Sequence, residues 1–264
     1  MNIDTEMIKA IFFDIDGTLV SFDTHKIPQS TIDAVREVRM KGVKVFIATG
    51  RPLPFINNLG DLEYDGIMAV NGACFVSADG IVLHETPVSK EDTRSVLCYA
   101  KEHGMAVVFA TNETAFVVNP NDKFDAVFKL LDIPHPAILT PDVLDGKKVM
   151  QIIAFFSKDD ESYVMNNVLV SCDAHRWHPD FADCISKGVN KATGIDRVIE
   201  HYGIDISEVM AFGDGGNDVE MLRHVGVGVA MGNASDEVKK CAKVVTDSVD
   251  DDGIARILHR IDNF

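Results

Sequence analysis

The chain has 264 residues, a hydrophobic content of 46% and a formal net charge of −16 at pH 7. This length and hydrophobic content allow one large core or two smaller ones. Binding to a nucleic-acid backbone requires clustered lysine and arginine, so the acidic balance disfavours nucleic acid as a partner. No apolar run approaches the roughly 20 residues that a membrane-spanning helix needs, so we expect no membrane partner either.

The cysteines and the first residues bear on the cellular compartment. The five cysteines are odd in number and include no Cys-x-x-Cys pair. This favours free thiols in a reducing cytoplasm over a disulfide framework or a zinc site. Residues 1–6 lack a basic segment followed by an apolar one, so we expect no signal peptide. The sequence therefore predicts a cytoplasmic protein.

An apolar run near the start of the chain ends abruptly in two acids. Residues 10–13 read Ala-Ile-Phe-Phe, which predicts a strand buried on both faces, as in a parallel sheet. Asp14 and Asp16 follow at once, with Gly17 and Thr18 behind them. Ligands of open α/β sheets bind beyond the carboxyl ends of the strands, so we expect chemistry here. A plain turn is the alternative, since aspartate and glycine both favour turns.

The elements that follow alternate in type, which predicts βαβ units and a parallel sheet. They are a helix over 31–41 with Ser30 as its N-cap and Gly42 as its stop, strands over 43–48 and 66–70, and a hairpin around Ala78-Asp79-Gly80. The strand over 43–48 ends in Thr49 and Gly50, which offer a hydroxyl beside accessible backbone amides.

The middle of the chain, 85–186, has a different pattern. Its predicted order is α-β-β-α-β-α-β, with helices over 89–103, 122–131 and 160–169, and strands over 105–110, 115–118, 149–156 and 174–177. A Pro-containing segment from 133 to 146 is predicted as loop. This order predicts a separate α+β domain with an antiparallel sheet, and we place no catalytic group there.

From Gly188 onward the first pattern returns. A helix is predicted over 191–201 and an apolar strand over 209–212, and the strand runs directly into Gly213–Asp218. We interpret the chain as one α/β core built from 1–84 and 187–264, with 85–186 inserted as a lid.

The acids at the predicted strand ends suit phosphate chemistry. A phosphate ester is a dianion that repels an attacking carboxylate, so a site must neutralise the phosphate oxygens while its nucleophile stays ionised. Mg²⁺ is usually held by one or two carboxylates together with phosphate and water. Asp14 and Asp214 can supply those carboxylates.

The same strand ends offer donors for phosphate oxygens. Thr49 has a hydroxyl and Asn217 an amide, and a lysine can act as a point charge. Lys187 and Lys191 are both candidates, and their spacing alone does not choose between them.

Four motifs, taken in order, resemble those of the haloacid dehalogenase (HAD) superfamily. They are Asp14-x-Asp16-Gly17-Thr18, Ile47-Ala48-Thr49-Gly50-Arg51, Lys191, and Gly213-Asp214-Gly215-Gly216-Asn217-Asp218. Further segments resemble its Cof-type branch, the subclass IIB sugar-phosphate phosphatases: Asn71-Gly72-Ala73, Gly188-Val189-Asn190-Lys191 and Met231-Gly232-Asn233-Ala234. The resemblance implies an α/β fold with a Rossmann-like, doubly wound parallel-sheet core and an inserted α+β (type-B) cap. Family position also favours Lys191 over Lys187.

The resemblance further implies a role for each site residue. The activity would be Mg²⁺-dependent hydrolysis of a small phosphorylated metabolite, with a sugar phosphate as the expected substrate. Asp14 would be the nucleophile, and Asp16 the general acid and base. Thr49, Gly50, Lys191 and Asn217 would bind phosphate. The metal would be bound by Asp14, Asp214 and the main-chain carbonyl of Asp16, with Asp218 in a supporting role.

Two other functions are compatible with parts of this pattern. A phosphomutase of the same superfamily uses the same core chemistry and differs in what accepts the phosphoryl group. A receiver-type or phosphosugar-binding regulatory protein also gathers Asp, Thr and Lys around Mg²⁺. Receivers are about half this length and carry no inserted domain, which disfavours that alternative.

Overall fold

A computed structural model describes residues 8–130, 133–139, 144 and 146–261. They form two compact units: unit 1 contains the described residues up to Gly50, Asn57–His84 and those from Asn190 onward, and unit 2 contains those of Arg51–Ile56 and Glu85–Val189. The sequence predicts domain boundaries at 84/85 and 186/187, and this division stays a prediction. The two units depart from it at 51–56 and 187–189, which both belong to unit 2. The expected absence of a signal peptide and the predicted helix end at Leu131 fall outside the described residues.

The strands, in chain order, are β1 (Ala10–Phe13), β2 (Lys44–Ala48), β3 (Gly66–Ala69), β4 (Cys74–Ser77), β5 (Val82–Glu85), β6 (Val107–Ala110), β7 (Ala115–Val118), β8 (Ala137–Ile138), β9 (Gln151–Ala154), β10 (Cys172–His178), β11 (Phe181–Ser186), β12 (Val209–Gly213), β13 (Val227–Ala230) and β14 (Val244–Val245). The α-helices are α1 (Gln29–Met40), α2 (Lys90–His103), α3 (Asp122–Leu130), α4 (Lys158–Asn167), α5 (Lys191–Tyr202), α6 (Val219–His224), α7 (Asp236–Lys239) and α8 (Gly253–Leu258). Within the described ranges, no helix has the length and apolar character needed to cross a membrane.

Unit 1 is built on a sheet whose strand order is β14-β13-β12-β1-β2-β3-β4-β5. The six strands from β14 to β3 run parallel, and β4 pairs antiparallel with β3. All four residues of β1 are completely buried, as the apolar run predicts. The parallel sheet confirms the predicted α/β class.

Helix α5 packs on this sheet and carries a predicted site residue at its first position. Its Ile195 and Val198 belong to the same buried cluster as Phe12 and Phe46 of the sheet. The side chain of Asn190 caps the helix by accepting from the Thr193 N–H, and Gly203 ends it in a left-handed conformation. The burial and the cap together fix where the helix begins, and therefore where Lys191 lies.

Helix α1 begins two residues earlier than predicted, and Ser30 as its N-cap is wrong. The N-cap residue is Pro28, with a φ of −56° and no side-chain capping bond. The hydroxyl of Ser30 instead donates to Asp252. Proline has no side-chain acceptor, so the helix begins here without a side-chain cap. Gly42 follows the helix as predicted, with a φ of +92°.

Unit 2 contains a second sheet with the strand order β10-β11-β9-β6-β7-β8. Helices α2 and α4 cover one face through Val96, Ala100 and Val164, and α3 covers part of the other through Phe124 and Phe128. The sequence pattern predicted neither β8 nor β11 as a strand. The predicted antiparallel sheet matches the pairings β10–β11, β11–β9, β9–β6 and β6–β7, whereas β8 pairs parallel with β7. β11 lacks a strict alternation of buried and exposed residues because both faces of the sheet are covered there: Phe181 packs in one core cluster, and Ala182 and Cys184 pack in the other.

Candidate active site

Three predicted site residues lie at one edge of the unit 1 sheet. β1 lies between β2 and β12 and runs parallel to both. Asp14, Thr49 and Asp214 each directly follow one of these three strands. Parallel neighbours end at the same edge of a sheet, so the fold brings the three residues to a common location.

A buried ion network occupies this edge. The Nζ atom of Lys191 lies 2.6 Å from Oδ1 of Asp14 and 2.6 Å from Oδ1 of Asp218. Lys191 is completely buried, which by itself lowers its pKa, but the two carboxylates outweigh burial and raise the pKa above its usual value. The lysine is therefore a permanent cation beside Asp14.

Asp218 holds both the lysine and the loop that carries Asp214. Its Oδ1 accepts from Lys191, and its Oδ2 accepts from the backbone N–H groups of Asp214 and Gly215 at 2.9 and 2.8 Å. A Cβ at Gly213 would lie 2.5 Å from the Asp218 side chain, so glycine is required there. Both oxygens of Asp218 are therefore engaged, one by Lys191 and the other by the Asp214 loop.

The remaining acids carry more negative charge than Lys191 alone can balance. Burial raises the pKa of Asp14 well above its usual value; Lys191 opposes this shift, and the charges of Asp218, Asp214 and Asp16 add to it. Burial, followed by the charge of Asp218, raises the pKa of Asp214 to about 6. Asp16 contributes to both shifts, so its carboxylate also lies within the field of the site.

This excess of acid fits a divalent cation. Oxygen atoms of Asp14, Asp214 and Asp218 lie within 4.8 Å of one another. Carboxylate oxygens are the ligands that hard cations such as Mg²⁺ prefer, and a cation would relieve the repulsion among these acids. Asp218 accepts three hydrogen bonds, from Lys191 and two backbone N–H groups, whereas Asp214 accepts from Thr18 and Asn233 and Asp14 accepts from Lys191. Asp14 and Asp214 therefore keep more acceptor capacity for a cation than Asp218 does.

A pair of carboxamides lies beside the loop that follows β2. Nδ2 of Asn217 donates to Oδ1 of Asn71 at 3.0 Å. A Cβ at Gly50 would lie 3.2 Å from Asn71 Oδ1 and 3.5 Å from Asn217 Nδ2, so both amides contact this glycine closely. Thr49, the preceding residue, is 1% exposed. Thr49, Gly50 and Asn217, all predicted to bind phosphate, are thus neighbours.

The two candidate lysines occupy different places. Nζ of Lys187 donates to the backbone oxygen of Val170 at 2.6 Å, within unit 2. Lys191 lies in unit 1 and contacts Asp14. Of the two, Lys191 is the one that the structure places among the acids.

Comparison with known proteins identifies the family. The family model for haloacid dehalogenase-like hydrolases matches residues 11–258. The chain belongs to this family. The match includes all four motifs that carry the resemblance in the sequence, and it makes the chain a HAD-type hydrolase.

Several similar proteins are named as phosphatases. "Putative phosphatase YkrA" of Bacillus subtilis is 38% identical over 94% of this chain and 95% of its own. The solved structure of the HAD subclass IIB sugar phosphatase BT4131 is 39% identical, covers 95% of this chain and 98% of its own, and has a TM-score of 0.85. BT1666 from Bacteroides thetaiotaomicron, described among HAD phosphatases, is 39% identical with a TM-score of 0.88 over 98% of this chain and 96% of its own. These similarities support a phosphatase activity for this HAD-type hydrolase.

Three residues of this HAD-type hydrolase hold the predicted ones in place, although the sequence assigned them no role. Thr18 donates to Oδ1 of Asp214 at 2.9 Å. Asn233 donates to the backbone oxygen of Gly17 at 2.8 Å and to Oδ2 of Asp214 at 3.3 Å. Asn71 accepts from Asn217, as described above. The sequence position of two of them could have indicated a role in the site. Asn71 and Asn233 each closely follow a parallel strand, and both lie in segments that carry the family resemblance.

Proposed function

We propose that the chain is an Mg²⁺-dependent phosphatase that hydrolyses a small phosphorylated metabolite through an aspartyl-phosphate on Asp14. The observation that carries this proposal is the buried contact of Lys191 with Asp14 and Asp218 at 2.6 Å, beside Asp214. A nucleophilic carboxylate is usable against an anionic ester only where positive charge is fixed close to it. Lys191 supplies one such charge.

In the first step an oxygen of Asp14 attacks phosphorus, and the bond from phosphorus to the ester oxygen breaks. Asp16, two residues along the chain, donates its proton to the departing alkoxide. Lys191, Thr49 and Asn217 hold the transferring group by donating to its oxygens. The step leaves an acyl phosphate on Asp14, an alcohol and an ionised Asp16.

In the second step the ionised Asp16 takes a proton from water, whose oxygen attacks phosphorus. The bond between phosphorus and the Asp14 oxygen breaks, which releases inorganic phosphate and restores the Asp14 carboxylate. Before the reaction, the charges of Asp14 and Asp218 keep the pKa of Lys191 above its usual value. While Asp14 is an acyl phosphate, Asp218 and the oxygens of the bound phosphoryl group supply the negative charge beside Lys191.

Asp14, Asp214 and the main-chain carbonyl of Asp16 are the groups we propose to hold Mg²⁺. When bound, the ion supplies positive charge that offsets the charge of the phosphate oxygens and of these carboxylates. The donor set of carboxylate and carbonyl oxygens is the one that suits Mg²⁺ rather than a softer metal.

The proposed substrate class is a sugar phosphate. The solved relative at 39% identity is described as a sugar phosphatase, and the match covers 95% of this chain, so both units have counterparts in it. We also propose a reducing, cytoplasmic location, which the free state of all five cysteines supports.

Phosphate release from p-nitrophenyl phosphate and glucose 6-phosphate, with and without Mg²⁺, tests the proposal. We expect release only with the metal, and a loss on the order of 10³ or more in Asp14→Asn. Asp33→Asn, which removes an exposed carboxylate of α1, is the matched control and keeps full activity. Turnover retained in Asp14→Asn would contradict the nucleophile. Conversion of one sugar phosphate isomer to another without phosphate release would instead indicate a mutase.

Asp16→Asn separates the acid/base role from binding. We expect the chemical step to slow by on the order of 10² to 10⁴ while inorganic phosphate still binds. An unchanged rate would remove Asp16 from the mechanism.

A further inference from the structure

The turn after β3 adopts a backbone conformation that its residues disfavour. Val70, Asn71 and Gly72 have φ angles of +53°, +51° and +100°. Asparagine and glycine tolerate this region, but a β-branched valine rarely adopts it. Such strain persists only where the surrounding structure determines the conformation, and it often marks a functional position.

Two neighbouring segments fix this turn. The N–H of Asn71 donates to the backbone oxygen of Thr49 at 2.9 Å. On the other side, a Cβ at Gly72 would lie 2.6 Å from the oxygen of Asn190 and 3.0 Å from Cα of Gly194. The turn is therefore packed between Thr49, which directly follows β2, and the first turn of α5, which carries Lys191.

The conformation directs the Asn71 side chain at Asn217. Asn71 is 5% exposed, and its Oδ1 accepts from Nδ2 of Asn217 at 3.0 Å. Asn217 itself is exposed at the start of a short helical turn, so this bond is what restrains its amide. An amide nitrogen has two N–H groups, and Asn71 engages one of them.

We propose that Asn71 is a positioning residue for phosphate recognition. By accepting one N–H of Asn217, it orients the second N–H toward a phosphate oxygen, and its own N–H fixes the backbone at Thr49. The strained turn is retained because it delivers both contacts at once. This inference rests on the proposed phosphatase function, and in particular on phosphate binding by Asn217 and Thr49.

The test measures how strongly Asn217→Ala weakens inhibition by inorganic phosphate in three backgrounds. In the unaltered protein we expect a roughly tenfold rise in Ki, the range for losing one hydrogen bond to a charged group. Asn71→Asp keeps an acceptor for Asn217, so the same rise is expected in that background. Asn71→Gly keeps the left-handed conformation but removes the acceptor, so Ki is already raised there and Asn217→Ala adds little.

Asn119→Gly is the matched control. Asn119 has a φ of +48°, and its side chain donates to the backbone oxygen of Ala100 at 2.7 Å, in unit 2. This variant is expected to lose stability without any change in the phosphate Ki. Asn71→Ser, whose shorter side chain does not reach Asn217, replaces the glycine variant should that variant fail to fold.

The outcomes separate this inference from the proposed function. If the unaltered protein neither hydrolyses esters nor binds inorganic phosphate, both are overturned. If it does both, but Asn217→Ala has the same effect in all three backgrounds, the role of Asn71 is overturned and the phosphatase proposal stands.

Discussion

At the scale of single residues, the site depends on one fully buried ammonium. Burial of Lys191 is offset by Asp14 and Asp218, and the second oxygen of Asp218 is satisfied by two backbone N–H groups. A buried ion pair is tolerated only when such additional hydrogen bonds accompany it, because desolvation of the charges is costly. Removing one member therefore leaves the others uncompensated, and their effects on activity should not add.

Lys191→Met tests this dependence directly. We expect kcat/KM to fall by on the order of 10² to 10³, because a fixed positive charge beside the transferring phosphoryl group is lost. Lys187→Met removes a lysine only four residues away whose Nζ contacts the oxygen of Val170, and it should leave kcat/KM unchanged. Equal losses in the two variants would contradict the assignment. Steady-state kinetics with p-nitrophenyl phosphate provides the measurement.

At the scale of elements, Asp65 fastens β2 and α1 to the start of β3. Its carboxylate accepts from the Val45 N–H at 2.9 Å and from Lys44 at 3.0 Å, and it pairs with Arg39 of α1 at 3.4 Å. Burial alone would raise its pKa, but the Val45 and Lys44 bonds and the charges of Arg39 and Lys44 together lower the pKa below the ordinary 3.8. One side chain thus links α1, the start of β2 and the start of β3.

Asp65→Asn should destabilise the protein in a pH-dependent manner. The folded pKa of Asp65 is lowered, so its contribution is complete above the ordinary value of 3.8 and is lost as pH falls through the folded pKa. We expect the variant to lose about 1.5–3 kcal/mol of unfolding free energy at pH 7. The difference from the unaltered protein should shrink near pH 3. Urea unfolding at both pH values measures it, and an equal difference at both would contradict the ionic role.

Helix caps give a second prediction at this scale. Ser89 accepts from the Asp92 N–H at 3.0 Å and caps α2, whereas Ser30 lies inside α1 and caps nothing. Ser89→Ala should therefore cost about 1 kcal/mol of unfolding free energy, and Ser30→Ala less than about 0.5 kcal/mol. Urea unfolding of both variants compares them, and the reverse order would show that the cap assignments are exchanged.

At the scale of the whole molecule, ligand binding at the site should be visible in stability. A cation that binds only the folded chain stabilises it by about 2.7 kcal/mol at a concentration of 100 times its Kd. We expect Mg²⁺ to raise the thermal midpoint by several degrees. The shift should vanish in Asp214→Asn and persist in Asp33→Asn. A shift that survives in Asp214→Asn would place the cation elsewhere, and scanning calorimetry of all three proteins decides the matter.

The sequence by itself determined the class of fold and the positions where chemistry was expected. Apolar runs such as 10–13 read as buried strands because their pattern is local, and polar residues directly behind them are visible without any tertiary contact. The stop at Gly42 was likewise readable, since glycine at a left-handed position follows from local backbone preference, whereas the N-cap predicted at Ser30 was wrong. The motif order was sufficient to predict the family, which the comparison confirmed.

Only the tertiary structure decided which groups meet. Lys187 and Lys191 are indistinguishable by spacing, and their separation into different units follows from where α5 begins and packs. β11 is a strand because strands on both sides pair with it. Asp218 contacts both Lys191 and the Asp214 loop because the fold brings Lys191 and two backbone N–H groups to its oxygens. The bond between Asn71 and Asn217 joins residues 146 positions apart. Such partners are set by packing of the whole chain, which no local pattern encodes.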